Sequence, residues 1–419
     1  MTGDAANPFL VLFFDALLLQ GGFNTALVTV GAGLLGLAAG AAGAFIFLRK
    51  RSLVSDAVSH ATLPGICLAF IVMAYAGGDG RWLPGLLLGS ALTAAIGLYL
   101  VDWMTHATRL SQDAAIGAVL SVFFGFGIVL LTVIQTLNVG RQAGLDTFLL
   151  GSTAGMLRSE ATTIAAAAAV SAACVYALRR PMTLVAFDPA FAATTGVNVR
   201  RTDLAIMGLA LLVTVIGLKI VGLVLIVALL IIPAATARFW TDQVEQLILI
   251  AAGAGAAAGY VGAALSAAAD KLPTGPIIVL MSFALFAVSL LVSPLRGVLA
   301  SAARRRRFQR RVHARQGLLA MARGEPIYDP LTLRILKRDG LIRPDGVATL
   351  DGRAAASKAL RDEARWELLR RSSGENPLAE RYDGLTPIEE VMTQDQIAAL
   401  DAQLTPRLTA GQDEAGSSE

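Results

Sequence analysis

The sequence predicts an all-α polytopic membrane protein, with eight or nine transmembrane helices followed by a small, mainly helical, winged-helix-like soluble domain. Three observations predict it. Mean hydropathy is +0.63 and charged residues make up 16% of the chain, against about a quarter in soluble domains. The charge is also unevenly spread: residues 1–295 hold 14 Lys/Arg and 13 Asp/Glu, and residues 296–419 hold 21 and 18. Finally, uncharged runs recur at 25–48, 61–78, 82–101, 114–140, 161–178, 204–218, 220–237, 246–269 and 272–295. Most reach the ~18–20 residues that cross a ~30 Å hydrocarbon core.

Taken in order, residues 8–20 (PFLVLFFDALLLQ) are apolar but short and carry Asp15, which predicts an interfacial or re-entrant helix, or a lead-in to the first crossing. Residues 1–20 lack a basic leader and a small-residue cleavage site, so no removable signal peptide is expected. The run 204–218 is short and Lys219 separates it from the next, leaving open two crossings or one broken element. With nine crossings, Arg49, Lys50, Arg51, Arg109, Arg179, Arg180, Arg200, Arg201 and Arg238 collect on one side, and Arg81, Arg141, Arg158 and Lys271 on the other. Basic loops stay cytosolic, which puts the N-terminus outside and the C-terminal tail inside. Gly- and Ala-rich stretches such as 31–45 and 251–265 let membrane helices approach closely; tight packing accounts for them.

Four divisions follow: a membrane domain over 1–298, a basic juxtamembrane helix over 299–324, a soluble domain over 325–409, and an unstructured tail over 410–419. The juxtamembrane helix carries Arg304–Arg307, suited to anionic headgroups. No G-x-x-x-x-G-K-[ST] sequence occurs, so the chain is not expected to hydrolyse nucleotide by itself. Cys67 and Cys174 lie in apolar runs and read as buried thiols.

Residues 49–70 (RKRSLVSDAVSHATLPGICLAF) carry the candidate chemistry. If Leu53–Phe70 is helical, Asp56 and His60 stack one turn apart on one face. Ionisable residues at the mouth of a membrane helix are costly and mark ion paths by default. A carboxylate with an imidazole suits Mn²⁺, Fe²⁺ or Zn²⁺; a structural ion pair and a proton relay are the competing readings. Cys67 points nearly the same way, two turns further on, either as a soft ligand or as a small packing residue. In the loop 179–201, Asp188-Pro189 is a helix-start signal. A short helix over 189–195 could dock a cytosolic partner or be an ordinary loop helix.

The stretch LRKRSLVSDAVSHATLPGICLAF at 48–70 resembles the signature of the permeases of zinc/manganese/iron-type ATP-binding-cassette importers. RLSQDAAIGAVLS at 109–121, AFDPAFAATTGV at 186–197 and IVGLVLIVALLIIPAATA at 220–237 agree, and the resemblance covers about residues 10–298. It implies a dimeric permease, paired with itself or a sister subunit, in a bacterial inner membrane. Two cytosolic ATPase subunits would drive it and an extracytoplasmic metal-binding protein would feed it. The cargo would be manganese first, then zinc or iron, with no permanently bound cofactor and no enzyme activity of its own. Asp56 and His60 fall on the positions assigned to metal coordination. Asp188, Pro189, Phe191, Ala192 and Gly196 fall on the loop that seats in the ATPase.

The tail from Leu331 to Leu369, with a turn at Arg343–Gly346, resembles the latter part of a winged helix in diphtheria-toxin-repressor-type regulators. Where that pattern has histidines this chain has Asp362-Glu363-Ala364-Arg365-Trp366-Glu367 and Glu389-Glu390, so a degenerate domain that does not bind DNA is expected. Two other readings of the whole chain stand beside the importer. One is a gradient-driven transporter with Asp56 and Asp113 as proton carriers, and the other a membrane-tethered metal-responsive regulator.

Overall fold

Long apolar stretches rich in Ala, Leu and Val form helices because a bilayer leaves no water to satisfy an unpaired backbone group. The computed structural model describes residues 8–77, 82–136, 158–269, 272–372 and 384–415, and among them it is all helical, with no strand. The order is α1 (Pro8–Leu17), α2 (Phe23–Leu48), α3 (Ser52–Tyr75), α4 (Leu83–Ala107), α5 (Gln112–Thr136) and α6 (Arg158–Phe187). There follow α7 (Pro189–Thr194), α8 (Val199–Val221), α9 (Leu223–Trp240), α10 (Val244–Ala267) and α11 (Thr274–Val292). Eight of these, α2–α6, α8, α10 and α11, are long and apolar enough to cross a bilayer, and α9 is a shorter apolar helix. Large apolar side chains such as Leu88, Tyr99, Val122, Val129, Leu280 and Phe283 are exposed on their outer faces, as lipid contact requires.

The middle of the bundle is α2 against α10. A Cβ on Gly36 would collide with the Gly255 carbonyl, and one on Gly40 with the Ala251 carbonyl, so the two backbones touch and only small residues fit between them. Leu35, Phe45, Ile226, Leu229, Leu230 and Ile278 are buried around this contact. The short α1 packs back on it, Tyr260 donating to the Leu17 carbonyl at 2.7 Å.

The expected interruption at Lys219 falls instead at Gly222, and Lys219 lies within α8. Gly222 has φ +84°, a left-handed conformation that glycine alone adopts without steric cost; it ends α8 and opens α9. A lysine has no bearing on the backbone by comparison.

The chain divides into two compact units, residues 1–300 and 301–419. The second holds most of α12 (Val298–Arg323), then α13 (Pro330–Arg338), α14 (Leu350–Ser372), a 3-10 turn (Ile388–Glu390) and α15 (Gln394–Ala415). Asp329 caps α13, accepting from the Thr332 amide at 2.7 Å, and His313 of α12 meets the Thr332 hydroxyl at 3.0 Å. Trp366 is fully buried with Leu368, Leu369, Ile388 and Leu400, its indole donating to the Thr386 carbonyl at 3.2 Å. Across the Arg343–Gly346 turn, one antiparallel bridge joins Ile342 and Ala348. The helix α15 continues to Ala415, into the stretch expected to be unstructured from 410. Extending an existing helix needs no new nucleus. Residues 416–419 lie outside the described set.

Candidate metal site and partner-docking loop

The metal-site candidate is built by α3. Pro64 sits inside this helix and has no N–H to give the carbonyl of His60, one turn back. In the same turn the Thr62 hydroxyl donates to the Ser59 carbonyl at 2.5 Å. Asp56 and His60 share a face as the spacing requires, with Nε2 of His60 3.3 Å from Oδ1 of Asp56. Their side chains are 39% and 17% exposed, open on one side and walled on the other. The wall is Phe124 of α5, whose ring meets the imidazole edge-on at 4.8 Å between centroids.

This separation has chemical meaning. Two ligands each about 2.0–2.2 Å from one ion, at tetrahedral or octahedral angles, stand roughly 2.8–3.6 Å apart. The 3.3 Å between Nε2 and Oδ1 falls within that range, and it is equally the distance of a direct ion pair. Nδ1 of His60 is buried without a hydrogen-bond partner. Among the described residues no third His, Cys, Asp or Glu joins the pair. Cys67 does not turn toward it: the thiol is buried among Leu63, Ile66, Phe70 and Ile134 and faces the Gly127 carbonyl at 3.8 Å. Asp113, in the first turn of α5, is exposed.

The second predicted cluster is the loop between α6 and α8. Oδ1 of Asp188 accepts from the Phe191 amide at 2.9 Å and Pro189 occupies the first turn, so α7 is an N-capped helix of six residues. Ala192 is buried and anchors it, while Phe191 is 54% exposed. Gly196 ends it at φ +83°, where the amide of Val197 returns to the Ala192 carbonyl at 3.0 Å. The result is a knob on a firm base with an aromatic at its tip.

Not foreseen from the sequence is a charge cluster next to both sites. Arg49 bonds Asp203 at 2.7 Å and the Val185 carbonyl at 2.9 Å, and Arg51 meets Asp203 at 3.3 Å. Burial pushes the Arg51 guanidinium below its ordinary value, with Asp203 pulling it back. The available signal was Asp203 itself, an acid in the first turns of an apolar run.

In the second unit, four acids of α14 and the 3-10 turn are engaged with cations. Asp362 pairs with Arg365, Glu363 with Arg315, Glu367 with Arg371 and Glu389 with Lys358.

Eight helices long and apolar enough to cross a bilayer, among the described residues, define a multi-pass membrane protein. The chain belongs to the ABC 3 transport family, whose model matches residues 24–293. It is 41% identical over 298 residues to the manganese transport system membrane protein MntC of Bacillus subtilis strain 168, covering 71% of this chain and 67% of that one. It is 38% identical to the zinc transport system membrane protein TroC of Treponema pallidum, over 67% of this chain and 92% of that one. Among solved structures, PsaBC from Streptococcus pneumoniae in complex with Fab is similar, with a TM-score of 0.59 and 28% identity, over 68% of this chain and 97% of that one.

Proposed function

We propose that the chain is the membrane subunit of an ATP-driven importer of a divalent transition metal, manganese first, then zinc or iron. The observation that carries this is the pairing of Asp56 Oδ1 and His60 Nε2 at 3.3 Å on one face of an apolar helix, in a chain whose relatives are named for manganese and zinc transport. A carboxylate with a neutral imidazole suits all three ions. With water or another helix completing the shell, two ligands hold the ion without trapping it, as transport requires.

In this reading residues 1–298 are the permease, 299–324 a basic juxtamembrane helix, and 325–409 a cytosolic winged-helix-like domain that has lost its metal ligands, in a bacterial inner membrane. An extracytoplasmic metal-binding protein delivers the ion to a dimer of permeases. Asp56 and His60 hold it while the path is open outward. Cytosolic ATPase subunits seat Asp188, Pro189, Phe191, Ala192 and Gly196, and their closure on ATP switches the path inward. The capped base of α7 and the exposed Phe191 support the docking role. Reconstitution tests the energy source: the chain copurifies with an ATPase subunit and Mn²⁺ uptake stops without ATP. Uptake that follows a proton gradient and ignores ATP contradicts the proposal.

A further inference from the structure

The loop that docks the partner and the helix that carries the metal pair are joined by one buried ionic contact. Its origin lies in Pro189. In a continuing helix the Val185 carbonyl would accept from the amide of residue 189, but proline has none. Nη1 of Arg49 takes that place at 2.9 Å. The other arm of the same guanidinium, Nη2, donates to Oδ2 of Asp203 at 2.7 Å. Val185 lies three residues before Asp188, on the near side of α7, and Asp203 lies early in α8, on its far side. Arg49 thus grips both roots of the docking helix. Arg49 itself caps α2 and stands three residues before Ser52, the first residue of α3. Arg51, beside Ser52, holds Asp203 too. The gripping side chains are largely buried, Arg49 12% and Asp203 14% exposed. An ion pair so shielded from water and salt is screened far less than a surface one. By contrast, Arg200 to Asp102, which also reaches α8, rests on a largely exposed arginine and contributes little.

We infer that Arg49 and Asp203 are positioning residues for transport: a clasp that carries displacement of α7 into the start of α3 and so onto Asp56 and His60. The inference rests on the importer reading above. A planar fork bonds two partners from two separate nitrogens in fixed directions, whereas a lysine ammonium presents all its donors from one nitrogen and does not span the same two acceptors in that geometry. The clasp therefore needs arginine at 49, beyond its positive charge.

The test uses the full chain, copurified with its ATPase and reconstituted in vesicles, with Mn²⁺ as the ion and ions transported per ATP hydrolysed as the readout. Arg49→Lys keeps the buried charge compensated and so assembles. Its ions per ATP fall by about tenfold. Asp203→Asn, which removes the ionic partner of Arg49, behaves alike. Arg49→Lys with wild-type ions per ATP overturns the clasp while leaving the importer standing. A wild-type complex that moves no Mn²⁺ on ATP overturns the importer reading and the clasp with it.

Discussion

At the scale of residues, Asp56 and His60 follow from spacing alone. A helix places positions i and i+4 on one face, and Nε2 and Oδ1 meet at 3.3 Å. His60→Ala and Asp56→Asn are expected to reduce metal uptake to background while the chain still inserts and copurifies with its ATPase. Membrane yield and pull-down check the second half of that statement, and misfolded variants would count against the assignment. The wall was not legible. Phe124 lies 64 positions along the chain on another helix, and nothing in its local pattern separates it from the lipid-facing aromatics of α5. The same holds for Asp203, whose partners Arg49 and Arg51 come from an earlier loop. Basic residues there were legible as topology signals, and their second role needed the fold.

At the scale of elements, the apolar runs marked the crossing helices because a bilayer forces each to satisfy its own backbone. The break after α8 was misplaced because a charge catches the eye before a glycine does, while only the glycine relieves φ +84°. The cap of α7 was readable as Asp188-Pro189. Asp188→Ala removes the acceptor for the Phe191 amide and costs the helix ~1 kcal/mol. ATPase pull-down should weaken, and Phe191→Ala, which leaves the cap intact, should weaken it as well. Retention of full binding in both variants would free this loop from the docking role. The contact of α2 with α10 admits no side chain at position 40. Gly40→Leu should abolish stable insertion, read as loss of detergent-extracted monodisperse protein, whereas Gly253→Ala, where a Cβ meets nothing within 4 Å, should be silent.

At the scale of the whole molecule, each unit has its own core, and the charge step near residue 296 announced the division. What the tail does was less legible, since several of its acids sit in ion pairs with arginine and lysine. The hydrogen bond from Arg365 holds the Asp401 carboxyl below its ordinary 3.8. Lowered folded values add stability above the unfolded pKa and lose it as pH falls through the folded one. Protection factors for amide exchange in α14 and α15 of the full chain, taken against the intrinsic rate at each pH, should therefore be high at neutral pH and fall below about pH 4, and Asp401→Asn should flatten that dependence. Trp366→Ala, at the fully buried centre of this unit, should cost it about 3–5 kcal/mol, seen as faster exchange confined to residues 301–415.

The measurement that tests the central claim most directly is metal content of whole cells after brief exposure to manganese, zinc and iron, wild type against His60→Ala, with the ATPase subunit coexpressed. The account predicts that one metal accumulates in the wild type and stays at background in the variant, although both proteins reach the membrane in equal amounts. Equal accumulation of every metal in the two strains would contradict it and leave His60 a structural residue.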